Sequence, residues 1–178
     1  MNKLSIDKHT DHLILDIKSG RIDRKYLEKN DWNLVNPEKL AHYFALTSNQ
    51  FTSVKRIIHF VSGCIILSKN ASLTNDKEVF HSLSLAKDLL EKTNQEIREM
   101  KIPNELKGHH QYMIESLYFL NEIFRRFVLV ERAFDLNEKQ IDLLLNLLKN
   151  SNEKLKRASS FEMGLEMVEL GSSFACGH

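Results

Sequence analysis

The stretch NPEKLAHYFALTSNQFTSVKRIIHFVSGCIILSKN, residues 36–70, decides the fold. Asn36-Pro37-Glu38 reads as an N-cap followed by proline at the first helical position, where its missing N–H costs nothing. Leu40, Phe44, Thr47, Phe51, Val54, Ile58, Val61 and Ile65 then recur at spacings of four and three without a slip. That period is the apolar stripe of a helix, and its length predicts one of about thirty residues.

Working outward, the same period returns three times. Asn75 with Glu78 resembles a capping box and opens a stripe of Val79, Leu83, Ala86, Leu90, Thr93, Ile97 and Met100 that ends before Pro103. A third helix is expected to start at Pro103 and to carry Leu106, His110, Met113, Leu117, Leu120, Phe124 and Phe127. Asn137 with Gln140 caps a fourth, with Ile141, Leu144, Leu148 and Leu155 on its stripe. The connections near residues 70–74, 101–103 and 134–137 are short, which makes consecutive helices antiparallel neighbours. The expected fold is all-α: an up-down-up-down antiparallel four-helix bundle over residues 37–158 within a single domain. Residues 1–36 read as a helical N-terminal extension packing on the bundle, with short helices around Asp11–Lys18 and Ile22–Lys29 and Gly20 between them. In residues 159–178, Ser159 with Glu162 forms a capping box and Gly171 a stop, so a short fifth helix is expected over residues 160–170, followed by a tail.

Composition supports helices and removes many chemistries. The chain has six glycines and two prolines in 178 residues, where average usage would supply about 21 of the two together. Phosphate sites built on glycine-rich loops are thereby excluded. A net charge of +1, from 25 basic and 24 acidic residues, gives no field favouring nucleic acid. The most apolar run, Ile57–Leu67, is about half the length a membrane helix needs and contains His59, so no membrane partner is expected. Two cysteines make no disulfide framework and the N-terminus has no apolar signal core, which points to the cytoplasm. No catalytic constellation is complete: Glu-x-x-His occurs once, at Glu78–His81, where a di-iron bundle needs it twice, and Gly-x-Ser-x-Gly is absent. Cys64, deep in an apolar helix, reads as an inert core thiol.

The polar interruptions of the stripes mark where a site would lie. Reflecting positions through the turns places Thr93 opposite residues near 50 and 111, and His110 opposite residues near 161. Thr47, Thr93 and His110, with Ser159 and Ser160 close by, therefore fall at one end of the bundle. They would form either a small polar pocket or a core histidine bonded to a threonine. His42, His109 and His110 share that end axially, and the tails could bring His9, His12, Cys176 and His178 alongside. Imidazole and thiolate suit zinc or another divalent metal, whereas His42 and His109, lying off the core stripe, would equally be solvated. On the fifth helix, Phe161, Leu165 and Val168 line one side and Met163, Met167 and Leu170 nearly the opposite one. Apolar groups on two sides predict contact on both, one against the bundle and one against a partner. Taken together, the residues predict a non-catalytic cytoplasmic protein acting through a protein partner or as a homodimer, with no cofactor. The alternative is a metal- or small-ligand-binding enzyme built on the polar pocket.

Overall fold

The computed structural model describes residues 35–69, 76–128, 136–159 and 165–167. Its helices are α1 (Pro37–Lys69), α2 (Asp76–Glu99), a 3₁₀ turn (Asn104–Leu106), α3 (Lys107–Val128) and α4 (Glu138–Arg157). The protein is all-α. The short helices expected before residue 35 lie outside the described residues.

Helix ends follow their local chemistry. Asn36 accepts the Glu38 N–H on Oδ1 at 2.8 Å, satisfying one of the amides that the first turn of α1 leaves without a partner. Asn137 and Gln140 form the reciprocal box: the Asn137 side chain accepts the Gln140 N–H at 3.0 Å, and the Gln140 side chain accepts the Asn137 N–H at 2.9 Å. Pro103 departs from the expectation that α3 begins there. Its ψ of 143° is extended, the Leu106 N–H reaches the Pro103 carbonyl at 3.0 Å, and a 3₁₀ turn intervenes before α3 starts at Lys107. The tighter turn lets the chain re-enter a helix directly after proline and bury Leu106.

One buried core is shared by all four helices. It includes Phe44, Phe51 and Ile58 from α1, Leu90 and Ile97 from α2, Met113 and Leu117 from α3, and Leu144 and Leu155 from α4. Each such large side chain contributes about 2 kcal/mol by leaving water. α1 packs mainly on α2 and α4, and α3 mainly on α4 and α2, with lighter contact between α1 and α3. α1 is the one described helix long and apolar enough to cross a membrane, and half of its most apolar window is buried inside the protein.

The expected helix over residues 160–170 is not seen where that segment is described. Leu165, Glu166 and Met167 are not helical. They are buried, exposed and half-buried in turn, the period of two that an extended chain shows when it lies on a surface. Leu165 is fully enclosed in the core, Met167 packs against it, and the Lys55 ammonium donates to the Glu166 carbonyl at 2.6 Å. Gly164 in mid-helix would weaken a helix here, and burying Leu165 outweighs local propensity.

Candidate functional site

Where α1, α3 and the end of α4 meet, the core carries an enclosed polar relay. Tyr43, on the second turn of α1, donates its hydroxyl to His109 Nδ1 at 2.8 Å. The His109 Nε2–H donates to the Ala158 carbonyl at 2.9 Å. A carbonyl can only accept, so Nε2 carries the proton and Nδ1 is left as the acceptor the phenol requires. The relay also satisfies a carbonyl that the end of α4 would otherwise leave without a partner. Burial holds His109 neutral, its pKa lowered to about 4 against the opposing pull of the Ala158 carbonyl. Burial likewise pushes the Tyr43 phenol well above its ordinary range, with the Thr47 hydroxyl a weaker opposing influence. Edge-on contacts of the His109 ring with Tyr43 and Phe44, at 5.6 and 5.1 Å between centroids, hold the imidazole against α1.

This geometry corrects the expectation that His109 is a solvated residue off the core stripe: it is 2% exposed. The stripe describes one face of α3, but at this end Tyr43 and the last turn of α4 cover a second face. With both ring nitrogens engaged, His109 has no lone pair to give a metal. His110 is buried beside it, its pKa lowered by burial and raised in smaller measure by the Ile97 carbonyl. His42 is exposed on α1. Among the described residues no three His, Cys, Asp or Glu side chains are grouped to hold a metal ion. The tail groups His9, His12, Cys176 and His178 lie outside the described residues.

Of the residues expected to form a polar pocket, two spend their hydroxyls on nearby backbone. The Thr93 hydroxyl donates to the Leu89 carbonyl of its own helix at 2.7 Å, and the Ser159 hydroxyl to the Lys156 carbonyl at 2.6 Å. Thr47 and His110 are buried, with Thr47 Oγ1 and His110 Nδ1 lacking hydrogen-bond partners. Ser160 lies outside the described residues, as do Phe161, Met163, Val168 and Leu170. Of the expected interaction surface, Leu165 and Met167 are described, and both turn inward.

One buried polar contact was missed altogether. The Ser116 hydroxyl donates to the Ser151 carbonyl at 2.9 Å, and the Ser151 hydroxyl to the Ser116 carbonyl at 3.0 Å, both serines being fully buried. The α4 stripe held the clue: Leu148 and Leu155 leave a gap that a residue at 151 should fill. A side chain as small as serine lets α3 and α4 approach closely at that level. Alongside it, Lys154 bonds Glu115 at 2.5 Å, which holds the Glu115 carboxyl below its usual range.

The surface carries clefts elsewhere. Between α1 and α2 lies an apolar groove of about 570 Å³, lined by Phe60, Gly63, Cys64, Leu67 and Leu89, with Arg56, His59 and Ser82 as its polar members. Phe60 and Leu67 are 43% and 40% exposed, and Leu85 on neighbouring α2 is 49% exposed. Burial raises the Cys64 thiol to about 11, so the groove holds no thiolate nucleophile at neutral pH. A second cleft, of about 550 Å³, sits at the start of α1 beside the 101–105 connection and has Tyr43 and His42 in its wall. A third, of about 510 Å³ between α2 and α3, mixes Glu91, Glu99 and Glu122 with Arg98 and Arg125. Arg125 and Glu122 already bond each other there at 2.8 Å.

No protein-family model matches the chain, and no curated protein or solved structure matches it.

Proposed function

We propose that this is a non-catalytic helical-bundle protein that works by protein–protein association, with the α1–α2 groove as its docking surface. The four helices are taken as an up-down-up-down bundle. Supporting this, Cys64 and Gln50 of α1 meet Val79 and Glu96 of α2, so one chain rises in number as the other falls. Ser116 and His109 of α3 likewise meet Ser151 and Ala158, in and after α4.

The groove itself is the observation that carries the function. Phe60 and Leu67 are large apolar groups left in water in one groove lining, which is unusual outside binding surfaces. Among the described lining residues Arg56 and His59 are the ionisable side chains, apart from the buried Cys64 thiol, and none is a carboxylate. An amphipathic partner helix with an apolar face and an acidic flank complements that combination.

The test uses two synthetic helical peptides with the same leucine face, one flanked by glutamates and one by lysines. The glutamate peptide should bind and shift the NMR resonances of Phe60, Gly63 and Leu89, and the lysine peptide should bind at least about tenfold more weakly. Phe60→Glu should abolish binding with little change in melting temperature, because the side chain is exposed. Equal binding of both peptides, or shifts away from the groove, would sink the proposal. Concentration-dependent dimerisation that Phe60→Glu removes would replace the partner helix with a second copy of the chain.

A further inference from the structure

We infer that the cleft at the start of α1 binds a small organic oxyanion, a carboxylate or phosphate monoester carried on a flat apolar body. The cleft measures about 550 Å³, within the roughly 300–1,000 Å³ of small-molecule sites. Two lysines from separate elements line it: Lys39 from the first turn of α1 and Lys101 from the connection after α2. Neither has a carboxylate within ion-pair reach among the described residues. With Glu105 in the same lining, the two ammonium groups leave the concavity with a net positive charge. The cleft also lies at the N-terminus of a helix of 33 residues, whose macrodipole has the same sign. Among the described residues Glu105 is the single carboxylate of the lining.

The rest of the wall defines the body of the ligand. The half-buried Ile102 and Pro103 contribute apolar surface. Tyr43 is buried beneath the cleft with its hydroxyl on His109, so it offers no oxygen to an occupant. An oxyanion held by Lys39 and Lys101 would thus leave its organic part against Ile102 and Pro103, with His42 beside it. This site is separate from the α1–α2 groove, and neither proposal depends on the other.

The experiment is calorimetric titration of the full chain at low ionic strength with phenyl phosphate, benzoate and neutral phenol. Both anions are expected to bind, and phenol at least about tenfold more weakly, since it keeps the ring and loses the charge-assisted contacts. The order of the two anions tells a phosphate site from a carboxylate site. In the Lys39→Gln, Lys101→Gln double variant, anion affinity should fall tenfold or more with an unchanged melting temperature, because both side chains are exposed. Absence of anion binding, parity with phenol, or full affinity in the double variant overturns the inference.

Discussion

The two halves of α1 treat polarity in opposite ways. In the first half, Tyr43, Thr47 and Gln50 are polar yet buried, with the phenol tied to His109 and the Gln50 amide donating to Glu96 at 3.4 Å. In the second half, Phe60, Ile66 and Leu67 are apolar yet exposed. Burying a polar group is costly unless it is bonded, so the first half is specified from within, by His109 on α3 for Tyr43 and by Glu96 on α2 for Gln50. Leaving an aromatic ring in water is tolerable singly but gains from a cover, so the second half looks outward. One helix thus anchors the fold at one end and offers a surface at the other.

That contrast can be broken by substitution, starting at the buried end. His109→Ala strips partners from the Tyr43 hydroxyl and the Ala158 carbonyl and opens a void; it should cost about 3–5 kcal/mol in chemical denaturation. A loss below about 1 kcal/mol would mean that the relay does not anchor α1 to the end of α4. Acid titration probes the same group. His109 has an ordinary pKa of 6.5 and a folded value of about 4, so the folded state disfavours its proton. Its contribution is complete above pH 6.5 and is lost as pH falls toward 4, at most about 3 kcal/mol. A His109→Gln variant should show a flatter profile over that window.

The serine pair gives a smaller and more local effect. Ser116→Ala or Ser151→Ala leaves one buried carbonyl and one hydroxyl short of a partner, at about 1–2 kcal/mol each. Because each serine serves the other, the double variant should lose less than the sum, and strict additivity in a double-mutant cycle would show that the two do not interact. At the outward end the sign reverses. A Cβ added at Gly63 meets nothing within 4 Å. Gly63→Ala should therefore stabilise α1 by about 0.5–1 kcal/mol through helix propensity while filling the groove floor and weakening peptide binding. Destabilisation would show that the groove is closed at Gly63.

How much of this was legible in the sequence varies residue by residue. The Asn36 and Asn137 caps and the stripe of α1 depend on neighbours within about four residues, and they could be read directly, whereas α3 starts at Lys107, four residues after the expected Pro103. His109 could not: nothing within a turn of it announces that Ala158, 49 positions later, will accept its proton. Ser151 stood in the gap of a readable stripe, yet its partner Ser116 was invisible until α3 and α4 came together. The segment at Leu165 was misread because capping and spacing favoured a helix, whereas the exposed period of two arises from contact with a core built by other elements.

By itself the sequence determined that the protein is helical, where α1 and α4 begin and which face of each helix is apolar, because those features rest on local propensity and a period of 3.6 residues. Only the tertiary structure decided which polar groups are enclosed, which apolar groups stay exposed and which clefts remain. Exposure and bonding at each position depend on elements far away in sequence, and no local period records them.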